Sequence, residues 1–407
     1  MGLILFTNAT LLDCTGSEPV FPAWVAAENG IIKEVGIGSA PDLPGAEKID
    51  CRGKTLMPGL IDGHMHASLF TNDLGDLHRK ILPSTSCFMA AKVLEDTLMQ
   101  GFTTVRDAGG IDAGFREAQK QGLITAPKMQ VCGRALSMTG GHADPRLPTE
   151  IAPPVAVGML GVIADGVDEV RKAAREQLRM GADYIKVMAG GGCASAADEP
   201  DTVQYSPEEL EAIVYEAKAA GKTVLTHNYS TRSMKMCAEA GVHSIEHGNY
   251  LDRETALILK EHGCWLVPTM ATYEIMATRG EEFGIPSYFL RKMKEVQKHS
   301  ENALAIAFEE GLKIGSGSDM VGSGQPYKAL EIELKARVMG SMKAILCTTR
   351  DNAELMGISG RVGTIEAGKC ADFILVDGDP LKEVKIFQDR EKIVAIVQDG
   401  KFIKKNI

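Results

Sequence analysis

Six times along this 407-residue chain a helical stretch ends in glycine and a short apolar strand follows at once. "LEDTLMQG" runs into "FTTVRDAGG", "REQLRMG" into "ADYIKVMAGGG" and "YEAKAAG" into "KTVLTHN". "KMCAEAG" runs into "VHSIEHG", "ALILKEHG" into "CWLVPTM" and "LAIAFEEG" into "LKIGSGSD". Gly101, Gly181, Gly221, Gly241, Gly263 and Gly311 stand where a helix C-terminus needs a left-handed residue. Ser206, Pro207 and Glu209 spell a capping box with proline at the first helical position. Helices alternating with short apolar strands signal a parallel α/β fold, whose strands are covered on both faces. Adding "TLMPGLIDGHMH" and "APKMQVCGRAL" gives eight strands. The expected fold is therefore a (β/α)8 TIM barrel over residues 57–356.

The two ends read differently. Residues 1–56 and 357–407 carry strand-like runs such as "WVAAENGIIKEVG", "ADFILVDGDP" and "IVAIVQDGKFIKK", in which "ENG" and "QDGK" are tight hairpin turns. Both termini are expected to combine into one small β-sandwich domain. Residues 139–165 form a long Gly/Pro-rich insertion, the kind of loop that serves as a lid or substrate wall.

Bulk properties exclude several classes of function. The net charge is −10 and there is no basic run, which argues against nucleic acid and against anionic membrane surfaces. No stretch reaches the roughly 18 apolar residues of a membrane span. The opening "MGLILFTNATLLD" lacks a basic region and a cleavage site, so it reads as a strand. Nine dispersed cysteines without a CxxC fit reduced thiols and a cytoplasmic location. Cys193, beside a glycine run, reads as a bystander.

The chemistry sits where strands end. His64 and His66 stand in "GLIDGHMH", Lys186 in "YIKVM", His227 in "VLTHNYS", His247 in "HSIEHGNY" and Asp319 in "IGSGSDM". Active sites of such barrels lie at the C-terminal strand ends, and all six residues fall there. Residues two apart on a strand share a face, so His64 and His66 can hold one ion together. Lys186 would be buried among apolar residues, where a charged ammonium is costly and the neutral amine becomes accessible. A neutral amine can add CO2 to give a carbamate, an anionic oxygen ligand able to bridge two cations. His64, His66 and Asp319 would hold one divalent ion, His227 and His247 the other. Imidazole and carboxylate suit zinc, with manganese or iron as alternatives. Two metals about 3.5–4 Å apart polarise a carbonyl and lower the pKa of bound water towards about 7. Asp319 is then the general base on the bridging hydroxide and the acid to the leaving amine. The expected reaction is hydrolysis of an amide-type bond.

These motifs resemble the amidohydrolase superfamily over nearly the whole chain, from "NATLLDCTG" through "LMPGLIDGHMH" and "GFTTVRDAGG" to "GTIEAGKCADFILVDGDPL". "SMTGGHAD", "IKVMAGGG", "VQYSPEEL" and "HNYS" resemble the branch with metal-dependent Xaa-Pro dipeptidases (prolidases) and zinc carboxypeptidases. The resemblance implies a carboxylated Lys186, cleavage of dipeptides or N-acyl amino acids, and a homo-oligomer. It gives His142 an oxyanion role towards the scissile carbonyl and Tyr229 a contact with the substrate carboxylate. A solvent-facing loop histidine and a wall tyrosine are the plainer readings of the same two residues. Arg106 could bind that carboxylate instead, or pair with Asp107. Ser318 stands where many relatives have threonine, and Ala143 where many have glycine, which touches substrate walls and not the metal ligands. Imidazolonepropionase-like or ochratoxin-type chemistry is the alternative, although Lys186 speaks against the mononuclear imidazolonepropionases. A non-catalytic scaffold would have lost ligands, and all six are present.

Overall fold

The computed structural model describes residues 2–72, 74, 77–146, 149–152 and 160–407, with backbone only at 77 and 78. Parts of the insertion expected as a lid, residues 147–148 and 153–159, lie outside the described residues. The chain divides into two compact units: Met1–Gly63 with Asp96–Thr104 and Ala329–Ile407, and His64–Glu95 with Val105–Lys328.

The first unit is built on an eight-stranded sheet drawn from both ends of the chain. Leu3–Leu11, Val20–Glu28 and Ile31–Ile37 form an antiparallel meander, as do Phe373–Val376, Ile393–Gln398 and Lys401–Lys405. Thr55–Pro58 joins the halves, lying parallel to Leu3–Leu11 and antiparallel to Phe373–Val376. Asn29-Gly30 and Asp399-Gly400 turn two of the hairpins with positive φ at both residues, the geometry of type I′ turns. The sheet folds over, so that Phe6 packs edge-on to Phe373 with ring centroids 5.5 Å apart, among Val25, Leu375 and Val397. Helices Leu330–Met339 and Ser341–Cys347 cover a further core of Ile332, Ile345, Phe102, Ile374 and Ile396. The two ends of the chain, 1–56 and 357–407, both fall in this unit.

Parallel strands order the second unit. Gly161–Ile163, Ala135–Ser137, Ile185–Met188, Val224–Asn228, Ser244–His247, Trp265–Val267 and Lys313–Ile314 form one sheet, in that order and parallel throughout. Leu60–Met65, Phe102–Asp107 and Lys128–Val131 form a separate three-stranded sheet, whose first two strands begin in residues of the first unit. Two of the eight expected strands are each divided. "APKMQVCGRAL" breaks at Gly133, whose φ is +72° and where a side chain would strike the Gln177 carbonyl oxygen. "TLMPGLIDGHMH" breaks at Gly59, its first part joining the sheet of the first unit. Gly161–Ile163 is a short strand inside the long insertion that the pattern did not indicate.

The six glycines at the helix ends all carry the expected backbone, with φ from +67° to +92°. Gly241 is typical: its N–H reaches the carbonyl of Ala238, and Val242 N–H reaches back to Cys237, the paired bonds of a Schellman cap. Ser206 and Glu209 form the reciprocal capping box, at 3.3 and 2.7 Å. Among the described residues, no helix is long and apolar enough to cross a membrane.

At Gly263 (φ +71°) a methyl group would meet nothing within 4 Å, so replacement isolates the conformational cost. Gly263→Ala should lower unfolding stability by about 1–2 kcal/mol. Urea unfolding checks this, and an unchanged midpoint would contradict the cap assignment.

Candidate active site

The sheet register carries the polar residues to one place. In the parallel pairing His227 lies beside Met188, and His247 beside Asn228, so each strand advances its histidine around the same opening. His64, His66, Lys186, His227, His247 and Asp319 line one cavity of about 570 Å³, together with His142 and Tyr229. His247 and Asp319 both adopt positive φ, +71° and +49°. Non-glycine residues rarely do so, and such strain concentrates at functional sites.

His64 Nε2 and His66 Nε2 lie 3.6 and 3.4 Å from Asp319 Oδ1. Their ligand atoms and the Asp319 carboxylate lie within 4.8 Å of one another, a spacing that could hold a metal ion. The His227 and His247 rings are 4.5 Å apart, and His247 stands 5.0 Å from His64. Each imidazole turns one nitrogen to a partner. His64 Nδ1 donates to Glu246 Oε2 at 2.6 Å, and His66 Nδ1 to the Gly109 carbonyl at 2.9 Å. His227 Nε2 donates to the Gly191 carbonyl at 3.2 Å, and His247 Nδ1 meets the Thr269 hydroxyl at 2.8 Å. The partner fixes the tautomer and leaves the other nitrogen's lone pair for an electrophile, as in imidazoles that ligate metals. Burial, helped by neighbouring positive charge, holds all four rings below the ordinary imidazole range, His66 to about 3. They stand ready as neutral ligands.

Lys186 is 1% exposed, and its Nζ has no hydrogen-bond partner among the described residues. Desolvation lowers it from the usual lysine range to about 8, with Glu246 and Asp319 pulling the other way. A buried ammonium without acceptors is costly, and an orphaned amine amid four imidazoles and a carboxylate fits a site completed by something else.

Arg106 behaves differently from the sequence expectation. It is not among the described residues lining the cavity. Its guanidinium is engaged by Glu246, at 2.9 and 3.0 Å, and by Ser244 at 3.3 Å. Arg106, expected to contact the substrate carboxylate or to pair with Asp107, makes this ion pair with Glu246. Glu246 was missed in the sequence, though it immediately precedes a candidate ligand within a buried strand. Asp107 accepts instead from the backbone N–H groups of Ala67 and Gly109, and burial pushes its carboxyl up to about 7.

His142 stacks on His227, with centroids 4.3 Å apart. Tyr229 lies against His247, its hydroxyl 3.1 Å from that of Tyr273, which in turn reaches Thr269. Burial, then Cys193 and Tyr273, raises Tyr229 well above the phenol range, so it stays a neutral donor. Burial likewise pushes the Cys193 thiol up to about 12, which leaves it inert. Ser318 is buried behind Asp319, and Ala143 packs with Ala135 and Met188.

The profile of the Amidohydrolase family matches residues 55–403, and the chain belongs to that family. Ochratoxinase from Aspergillus niger is 32% identical over 415 residues, covering 97% of this chain and 86% of its own. The crystal structure of a prolidase complexed with N-methylphosphonate-L-proline matches with TM-score 0.96 at 35% identity, covering 99% and 100% of the two chains. A Xaa-Pro dipeptidase with methionine bound in its active site matches with TM-score 0.91 at 28% identity, again covering 99% and 100%. The protein is a hydrolytic enzyme of this family.

Arg106→Leu should destabilise the fold by about 3–5 kcal/mol, because it strands the Glu246 carboxylate in the interior. Denaturant titration measures this, and a loss below about 1 kcal/mol would mean that the pair carries no such burden.

Proposed function

We propose that this amidohydrolase cleaves the amide bond of dipeptides, Xaa-Pro or similar, or of N-acyl amino acids, using two divalent cations. One observation carries the reading: the amine of Lys186 is buried and, among the described residues, without a hydrogen-bond partner, amid four imidazoles and Asp319. His64, His66 and Asp319 would hold one ion and His227 with His247 the second, zinc being the natural choice for this donor set. Lys186, as a carbamate, would help to hold both. Bound there, the ions supply polarisation of the scissile carbonyl and a lowered pKa for the attacking water.

The chain's own residues do the rest. The Asp319 carboxylate takes the proton of the attacking water and delivers it to the leaving nitrogen, which must be protonated to depart. His142 donates a ring N–H to the oxygen on which charge develops. Tyr229 donates its hydroxyl to the carboxylate of the substrate. Cavity walls of Leu69, Met188, Phe289 and Met293 exclude water and receive apolar side chains.

The framework of this reading is a closed (β/α)8 barrel over 57–356, with 1–56 and 357–407 as a β-sandwich. Two backbone hydrogen bonds support closure. Asp183 N–H reaches the Val131 carbonyl at 2.8 Å, and Asp319 N–H reaches the His64 carbonyl at 2.9 Å. These link the Lys128–Val131 strand to the segment before Ile185–Met188, and the Leu60–Met65 strand to the segment after Lys313–Ile314.

The likeness to prolidase and dipeptidase structures favours Xaa-Pro substrates, and the likeness to ochratoxinase favours ochratoxin-type amide hydrolysis as a second reading. Screening the metal-loaded enzyme against dipeptides and N-acyl amino acids separates them. Cleavage of Xaa-Pro pairs or of simple N-acyl amino acids supports the first; a blank on both supports the second. Asp319→Asn should abolish turnover in a folded protein, and near-normal rates would remove it as the base. Lys186→Ala should cut metal content below two ions per chain in elemental analysis, and two retained ions would refute the bridging role.

A further inference from the structure

A loop residue outside the cavity lining controls how His142 meets the substrate. His142 is held on three sides. One ring face stacks on His227 at 24° between planes. The other face lies against the backbone of Gly192, where a Cβ atom would sit 2.0 Å from Cε1 and 2.2 Å from Nδ1. Glycine is therefore required there by the ring itself. The Nδ1 edge faces Ser195 Oγ at 3.4 Å and Asp198 Oδ2 at 3.7 Å. That leaves Nε2 as the nitrogen available to a substrate.

Asp198 is itself fixed. It accepts from the Ser195 hydroxyl, from Gln204 Nε2 at 2.7 Å and from Gly192 N–H at 3.3 Å. Gln204 also accepts the backbone N–H of His142 at 3.0 Å, so one side chain ties histidine and aspartate together. Lys292, 2% exposed, donates to the carbonyls of Gly192, Ser195 and Asp198 and pins the loop from the far side. Burial alone would raise the Asp198 carboxyl, yet its hydrogen bonds and the nearby His142 hold it down at about 2. It is an anion at any working pH.

We infer that Asp198 is a positioning residue of this enzyme: held by Gln204, Ser195 and the Lys292-pinned loop, it takes the Nδ1–H side of a doubly protonated His142 ring, so that Nε2–H points at the reacting carbonyl. Such buried fixation matters because a donor about 1 Å out of place loses roughly 100-fold in rate. The inference rests on the proposed oxyanion role of His142.

The test compares Asp198→Asn, His142→Asn and the double variant with Ala-Pro as probe, or N-acetyl-L-phenylalanine if that is the compound turned over. Inhibition by N-methylphosphonate-L-proline is measured beside it. Asp198→Asn should lower kcat roughly 10- to 100-fold with KM within about two-fold. Phosphonate inhibition should weaken in parallel, with metal content and melting temperature unchanged. The double variant should be no slower than His142→Asn, because the two residues act as a unit. If His142→Asn is impaired but Asp198→Asn is not, or if the two losses multiply, the inference falls while the role of His142 stands. If His142→Asn is itself unimpaired, the role of His142 falls with it. Should Asp198→Asn fail to fold, Asp198→Glu tests the same point by moving the carboxylate one methylene along. It should also lower kcat with little change in KM, and an unaltered kcat would overturn the inference.

Discussion

One buried carboxylate organises this active site. Glu246 is fully enclosed, and it accepts at once from Arg106, His64 and Ser244. Buried ion pairs seldom add stability over apolar packing of the same volume, since desolvation offsets most of the attraction. The return here lies in orientation. The guanidinium fixes the carboxylate, the carboxylate fixes the tautomer of His64, and His64 then offers Nε2 to the cavity. The same negative charge faces Lys186 and draws its amine back towards protonation against the stronger effect of burial.

Around that carboxylate the histidine side chains have their own supports. Gln325 donates to the carbonyls of His66, Leu69 and Met320, so one amide spans the segments that carry His66 and Asp319. Thr269, Tyr273 and Tyr229 form a hydroxyl chain from His247 to the substrate side of the cavity. The strained backbone at His247 and Asp319, of order 1–3 kcal/mol each, persists because neighbouring hydrogen bonds over-determine it. Displacing either support would let a ligand relax towards an ordinary conformation and out of register with the rest.

The legible part of this molecule was its periodic part. Gly241 and Gly263 announced helix ends because only a few residues tolerate left-handed backbone, and strands following them could be counted. His64, His66, Lys186, His227, His247 and Asp319 stood out because polar residues at the ends of apolar runs are anomalous. Glu246 was equally anomalous, yet its partner Arg106 lies 140 residues away, and sequence spacing says nothing of such pairings. The ion pair of Arg106 is hidden for the same reason: a cation at a strand end looks like a substrate ligand until its counter-ion is seen. Asp198 lies in an irregular loop without periodicity, where only the fold reveals that it faces His142. The division of "APKMQVCGRAL" at Gly133 depended on Gln177 from a distant helix.

The charge balance of the site links its parts. Arg106 offsets Glu246, which leaves Lys186 set against Asp319 when the amine carries a proton. Converting the same amine to a carbamate exchanges one positive charge for one negative, which sets a second anion beside Asp319. Such a pair is costly unless cations enter. Carbamate and metal ions therefore stabilise one another under the proposed reading, each raising the affinity for the other by the same factor. The lowered basicity of Lys186 is what makes the exchange accessible, since an ordinary lysine would stay protonated and keep the site closed to divalent ions.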